Sequence, residues 1–384
     1  MTTPFTLPSK LPAIGTTIFT VMSKLATDLG AINLSQGFPD FDCDPALIDS
    51  VARHMREGRN QYAPMQGVPS LRQAISAKYE TFHGRRYDPD TEVTVTSGGT
   101  EAIFDAVTAV LRTGEEAIVL EPCYDSYLPA IELCGGLPVV IPLQLPDYGV
   151  DWDAVRHAVT PRTRVIIINT PQNPTGSILS ADDVQELAAI VSGTNIVIVS
   201  DEVYEHLIFD GAQHESMARY PELAARSFII GSFGKTYHVT GWKVGYAVAP
   251  AALTAEFRKV HQFVTFSTIT PVQLAIADLL TTQRGLRELG PFFQAKRDLF
   301  LRLMDGSRFR ALPCRGSYFQ LMDYSDISRE EDVDFAVWLT KEHGVASIPT
   351  SPFLSRSKAP RVVRFCFAKR DETLEKAAER LRRV

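Results

Sequence analysis

Nowhere in the 384 residues do two cysteines stand as CxxC, and the five present (Cys43, Cys123, Cys134, Cys314 and Cys366) are odd in number and irregularly spaced. That is a poor basis for a disulfide framework, and free thiols, buried or partly buried, are expected. The eight histidines form no HExxH and no His/Cys cluster at ligand spacing, so metal chemistry has little support and no metal is expected. There is no excess of positive charge: 39 Lys and Arg against 45 Asp and Glu leave −6, with no basic tail at either end. A nucleic-acid binder working through a basic face is thereby disfavoured. No apolar run approaches the ~18 residues of a membrane span. Residues 1–10 also lack the charged head and apolar stretch of a secretory signal. The expectation is a soluble, cytoplasmic protein without nucleic-acid or membrane partners. Repeats, low-complexity tracts and a GxGxxG fingerprint are absent as well.

What is present is the balance of a globular chain, 45% hydrophobic and 22% charged, long enough for two or three lobes. Short runs rich in Val and Ile recur at 92–96, 117–120, 138–141, 164–169, 195–200, 227–231 and 244–248. Runs such as Val165-Ile166-Ile167-Ile168 and Ile196-Val197-Ile198-Val199 are apolar on both faces, as in a largely parallel sheet covered by helices on both sides. Between the runs, 101–112 places Ala102, Ile103, Ala106, Val107, Val110 and Leu111 on one helical face, and 181–191 repeats that pattern. Beyond about residue 277 the chain turns to charged helices and a few short strands, including 316–322 and 362–367. A division into an N-terminal arm (1–41), a large domain (42–277) and a small C-terminal domain (278–384) is expected, the arm joining the small one.

In an open α/β sheet, ligands gather at the carboxyl ends of the strands. Four of those ends are unusual. Thr96-Ser97-Gly98-Gly99-Thr100-Glu101 opens a helix with small residues; it reads as an anion seat or as a tight turn with a Thr cap. Asn169-Thr170-Pro171-Gln172-Asn173-Pro174-Thr175-Gly176 takes a rigid path that gives Asn173 a fixed direction, or makes it a simple turn residue. In Ser200-Asp201-Glu202-Val203-Tyr204, Asp201 emerges from a buried run and requires a cation or donors, unless it caps a helix. Gly231-Ser232-Phe233-Gly234-Lys235-Thr236 is not a P-loop, since its first glycine would fall on Ile229. Lys235 there is a surface lysine or a desolvated amine able to form a Schiff base. Arg364, on one face of an apolar strand with Val362 and Cys366, requires an anion, from a structural ion pair or from a ligand.

Taken together, an anion seat, a directed Asn, a buried Asp with a Tyr three residues on, and a lysine loop match the demands of pyridoxal 5′-phosphate. The chain resembles the fold-type I, class I/II aminotransferases, and within them the methionine and the kynurenine/glutamine aminotransferases. The resemblance is carried by Asn33-Leu34-Ser35-Gln36-Gly37-Phe38-Pro39-Asp40, Asn60-Gln61-Tyr62, the four loops, Gly241-Trp242-Lys243-Val244-Gly245 and Arg361-Val362-Val363-Arg364-Phe365. It implies an α/β fold with a mostly parallel seven-stranded sheet in the large domain and a smaller α+β domain. It further implies that Lys235 carries the cofactor and shuttles the substrate α-proton, that Asp201 pairs with the ring nitrogen, and that Tyr204 and Asn173 donate to the phenolic oxygen. Gly99, Thr100, Ser232 and Lys243 would hold the phosphate, with Tyr62 reaching it from the other subunit of a homodimer, and Tyr124 would stack on the ring. Many relatives carry Arg where this chain has Lys243, so a point charge replaces a planar fork there. Arg364 would grip the substrate α-carboxylate, with Asn173 and a backbone contact from Gly37. Ile18, Phe19, Phe38, Tyr62 and Phe266 are candidates for the side-chain pocket, suiting methionine, aromatic amino acids or glutamine better than a second carboxylate, or are ordinary core residues. The expected activity is ping-pong transamination between an L-amino acid, methionine favoured, and a 2-oxo acid; the alternative is a β-lyase acting on cysteine S-conjugates.

Overall fold

A computed structural model describes residues 7–283, 285–355 and 359–384. The apolar runs form seven strands: β1 (Val93–Thr96), β2 (Glu116–Glu121), β3 (Leu137–Pro142), β4 (Thr163–Asn169), β5 (Val197–Asp201), β6 (Ser227–Ser232) and β7 (Gly245–Val248). They lie in the order β1-β7-β6-β5-β4-β2-β3. All pairings are parallel except those of β7, which is antiparallel to both neighbours.

The alternation of each strand explains why it needs two apolar faces. Val165 and Ile167, Val199, and Phe228 and Ile230 pack with Ala102, Ile103, Ala106 and Val107 of the helix Gly98–Val110. Their neighbours Ile166 and Ile168, Ile198, and Ile229 point the other way, into the core that includes Val184 and Leu187 of the helix Ala181–Val191. Each such side chain contributes roughly 1.5–3 kcal/mol on burial, so a polar residue on either face would be costly. The helix Ala181–Val191 has the expected bounds, its start fixed by a capping box between Ser180 and Asp183. The helix expected at 101–112 instead runs from Gly98 to Val110. The small residues join its first turn, so Thr100 is not its cap, and Leu111 leaves the helix in an extended conformation.

Four further strands, β8 (Arg310–Ala311), β9 (Phe319–Asp323), β10 (Ile348–Pro349) and β11 (Val362–Cys366), form an antiparallel sheet in the order β10-β11-β9-β8. Ile32–Asn33 pairs in parallel with Val345–Ala346, and the Cys366 N–H donates to the Leu34 carbonyl at 2.8 Å. This brings the early segment 32–37 beside β11. All five cysteines are free, with Cys123, Cys314 and Cys366 buried. Among the described residues no helix is long and apolar enough to cross a membrane.

Candidate active site

At the carboxyl ends of β4, β5 and β6 lies a cavity of about 770 Å³. Gly37, Gly99, Thr100, Tyr124, Asn173, Asp201, Tyr204, Ser232, Lys235, Lys243 and Arg364 all border it. Tyr62 does not: it is 83% exposed and packs edge-on against Phe266, ring centroids 5.4 Å apart.

One wall is the turn between β1 and the helix Gly98–Val110. Gly98 adopts φ +81°, and a Cβ there would stand 3.1 Å from the Lys243 amine. Gly245 is needed because β7 passes directly beneath: its Cβ would meet Gly98 C at 2.8 Å and Gly99 N at 2.9 Å. The result is a cradle of backbone amides at a helix N-terminus, closed by a lysine, which suits a phosphate. Thr100 Oγ1 lies 3.2 Å from the Tyr124 hydroxyl.

Opposite, Asp201 ends β5 and does not cap a helix. Its Oδ2 accepts from the Tyr127 hydroxyl at 2.6 Å and its Oδ1 from the Val203 N–H at 3.3 Å. Burial pushes its pKa up to about 6, opposed by the Tyr127 hydrogen bond. Lys235 stands in the single-turn helix Phe233–Thr236. Its amine donates to the Tyr318 hydroxyl at 2.9 Å and to the Gly37 carbonyl at 3.3 Å, while Tyr318 donates to that carbonyl at 2.6 Å. Burial lowers the amine from its ordinary 10.5 to about 8, and the nearby Arg364 and Lys243 cations act in the same direction.

The proline-rich loop does direct Asn173. The Asn173 N–H donates to Asn169 Oδ1 at 2.8 Å, and Asn173 Oδ1 accepts from Arg364 Nη1 at 2.7 Å. Its amide NH₂ has no partner among the described residues, leaving a donor at the cavity. Arg364 is 1% exposed, and its Nη2 donates to the Ser35 carbonyl at 3.0 Å. Its guanidinium carbon lies 3.8 Å from the Phe319 ring centre, while Nε is buried without any partner. No carboxylate pairs with it among the described residues, so the structural ion pair is not what occupies this arginine.

Of the side-chain pocket candidates, Ile18 and Phe19 line the cavity; Phe38, Tyr62 and Phe266 do not. Phe38 lies instead under the Lys369 amine. Tyr127, Asn169 and Tyr318, which hold these groups in place, were not anticipated from the sequence. Asn169 ends a strand in a loop already singled out, which was a usable signal. Tyr318 lies next to an apolar strand and had none.

A lysine amine, a buried carboxylate, a free amide donor and a lysine-closed amide cradle around one cavity fit pyridoxal 5′-phosphate. Comparison with known proteins agrees. The family model for aminotransferase class I and II matches residues 30–381. Methionine aminotransferase of Escherichia coli (strain K12) is 49% identical, over 98% of each chain. A probable N-succinyldiaminopimelate aminotransferase of Mycobacterium tuberculosis (strain ATCC 25618 / H37Rv) is 40% identical over 97% of each. A crystal structure from Escherichia coli, reported with a methionine aminotransferase function, superposes with TM-score 0.97 at 49% identity, covering 99% of this chain and 100% of that one. The chain belongs to the class I and II aminotransferases, and it is a pyridoxal-phosphate-dependent enzyme.

Proposed function

We propose, from that membership as premise, that this aminotransferase moves the amino group of a neutral L-amino acid, methionine first, to a 2-oxo acid in two alternating half-reactions. The observation that carries the reading is Arg364: a buried guanidinium with an unpartnered Nε, opening on the cavity that holds Lys235 and Asp201. Such a group is suited to a carboxylate in two-pronged contact. In this reading Arg364 binds the substrate α-carboxylate, Asn173 orients Arg364, and Gly37 and Tyr318 hold the Lys235 amine.

When bound, the cofactor supplies an electron sink that stabilises negative charge at the substrate α-carbon. Lys235 would hold it covalently through Nζ and, freed as an amine once the substrate amino group takes its place, would take the α-proton at Nζ and return it. An amine with a pKa of about 8 is matched to that exchange near neutral pH. Asp201 would keep a proton on the ring nitrogen, Tyr204 and the free Asn173 amide would donate to the phenolic oxygen, and Tyr124 would cover the ring. Gly99, Thr100, Ser232 and Lys243 would hold the phosphate.

Methionine is supported by the 49% identical relative and by Ile18 and Phe19 in the cavity wall. The cations that this chain brings to the cavity, among the described residues, are Lys235, Lys243 and Arg364, all assigned above, so this chain itself offers none for a second substrate carboxylate. The test is a single turnover of holoenzyme with L-methionine and no acceptor. One equivalent of the 2-oxo acid per active site is expected; ammonia release, or no oxo acid, overturns the reading.

The same reading makes the enzyme a cytoplasmic homodimer in which Tyr62 completes the partner's phosphate site. It is supported by Tyr62, Phe263, Val264, Phe266 and Ile269, which expose an apolar surface on neighbouring segments. A catalytically competent monomer in light scattering would contradict it. The division into 1–41, 42–277 and 278–384 belongs to this proposal too, with the pairing of 32–33 to 345–346 as its support for the arm.

A further inference from the structure

Beneath the phosphate turn, Glu101, Asp105 and His261 meet with all three ligand atoms within 4.8 Å of one another. Glu101 and Asp105 stand one helical turn apart on the helix Gly98–Val110, and His261 comes from the helix Ala251–Val264. The side chains of His261 and Asp105 are wholly buried. The sequence reading assigned none of the three.

Hydrogen-bond chemistry constrains what this cluster holds. His261 Nε2 lies 3.0 Å from the Met65 carbonyl, which can only accept, so Nε2 carries a hydrogen. Nδ1 lies 2.6 Å from Glu101 Oε1 and 3.4 Å from Asp105 Oδ2. A bare lone pair there would face carboxylate oxygens, so either a second proton or a metal ion stands between them. Zinc-like bonds of about 2.0–2.1 Å at a tetrahedral angle keep N and O roughly 3.3 Å apart. The observed 2.6 Å is a hydrogen-bond distance; burial would lower the His261 imidazole, but its hydrogen bonds to Asp105 and Glu101 raise it to about 9, so the proton stands on Nδ1 and the ring is the imidazolium. Burial pushes the Asp105 carboxyl up, keeping it neutral, whereas the hydrogen bond from His261 holds Glu101 down against burial. The second Glu101 oxygen accepts the Ser97 N–H, directly before Gly98, Gly99 and Thr100.

We propose that His261 is a positioning residue for the cofactor phosphate: as a buried imidazolium it neutralises Glu101, so that this carboxylate anchors the Ser97 N–H under the turn without repelling the phosphate. The inference rests on the reading of Gly99 and Thr100 as the phosphate seat.

The experiment compares pyridoxal phosphate with pyridoxal, which lacks only the phosphate, in equilibrium binding to apoenzyme followed by absorbance. His261→Asn is expected to weaken pyridoxal phosphate about tenfold while changing pyridoxal less than about twofold, the size of a charge effect at a partly buried helix N-terminus. The double variant Glu101→Gln/His261→Asn, which removes both charges, should recover most of that loss. Lys243→Met tests the premise separately. If Lys243→Met lowers the preference for the phosphate form and His261→Asn does not, the inference is wrong and the phosphate seat stands. If neither lowers it, the seat itself is wrong. Should His261→Asn fail to fold, Glu101→Gln decides: affinity for pyridoxal phosphate is expected to hold or rise, and an equal loss for both ligands overturns the proposal. A change in wild-type cofactor binding on adding a chelator would assign the cluster to a metal and overturn it as well.

Discussion

Replacing Arg364 by Lys keeps the charge and removes the fork, which makes it the sharpest test of the substrate site. In the structure the guanidinium already supports Asn173 Oδ1 and the Ser35 carbonyl while keeping Nε unpartnered. An ammonium on a single stem cannot reach both acceptors and a substrate carboxylate in one geometry. Losing one hydrogen bond to a charged partner costs about 1.5–3 kcal/mol, and stranding a buried acceptor a further 1–3 kcal/mol. Together they amount to about 2.5–6 kcal/mol, or roughly 10²–10⁴ in kcat/KM at 1.36 kcal/mol per decade. The assay is the half-reaction with L-methionine across a concentration series, with the cofactor's visible absorption as the check that Lys235 is still loaded. Because the contact is made to bound substrate, most of the loss should fall on KM. A folded, loaded Arg364→Lys enzyme with kcat/KM reduced less than fivefold would refute the assignment of the carboxylate to Arg364.

Three other perturbations follow from the same geometry. Asp201→Asn removes the buried negative charge at the ring nitrogen, and proton abstraction from methionine should slow by at least roughly 10²-fold in a stopped-flow half-reaction, as when a preorganised electrostatic stabiliser is lost; a near-normal rate would sink the role given to Asp201. Lys235 reacts only as the free amine, and burial lowers its pKa to about 8, so capture of cofactor by apoenzyme should rise ~10-fold per pH unit up to about pH 8 and then level off. A rise continuing to pH 10 would mean an unperturbed lysine. Lys78 and Glu205 form a buried ion pair whose side chains are 2% and 4% exposed, and Tyr246 donates to the same carboxylate at 2.8 Å. Lys78→Met removes the lysine and leaves the buried carboxylate to Tyr246 and the His83 ring at 3.4 Å; it should cost about 3–5 kcal/mol in urea unfolding, with Lys78→Met/Glu205→Leu regaining much of it, and a loss below about 1 kcal/mol would contradict the account.

How much of this was legible in the residues alone depends on how local each signal is. The strands were readable because burial between two helical layers demands an apolar residue at every position, and Val165 to Ile168 states that demand without reference to anything distant. The loops at the strand ends were readable for a related reason. Gly98, Asn173, Asp201 and Lys235 each break the apolar pattern where a parallel sheet opens to ligands, and the structure sets all four on one cavity. Helix bounds were less legible, since Gly98 and Gly99 read as a turn and yet begin the helix.

Contacts between distant segments left no such trace. Tyr318 is 83 positions from the Lys235 amine it accepts from and 281 from the Gly37 carbonyl to which it donates. His261 is 160 positions from Glu101. Neither residue breaks a pattern in its own segment, because a buried tyrosine or histidine is ordinary core until its polar atom is placed. The sequence by itself determined which groups stand at the strand ends, since backbone periodicity and burial act within a few residues. Which proton faces which acceptor was decided only by the tertiary structure, because hydrogen bonds depend on distance and direction in space and not on separation along the chain.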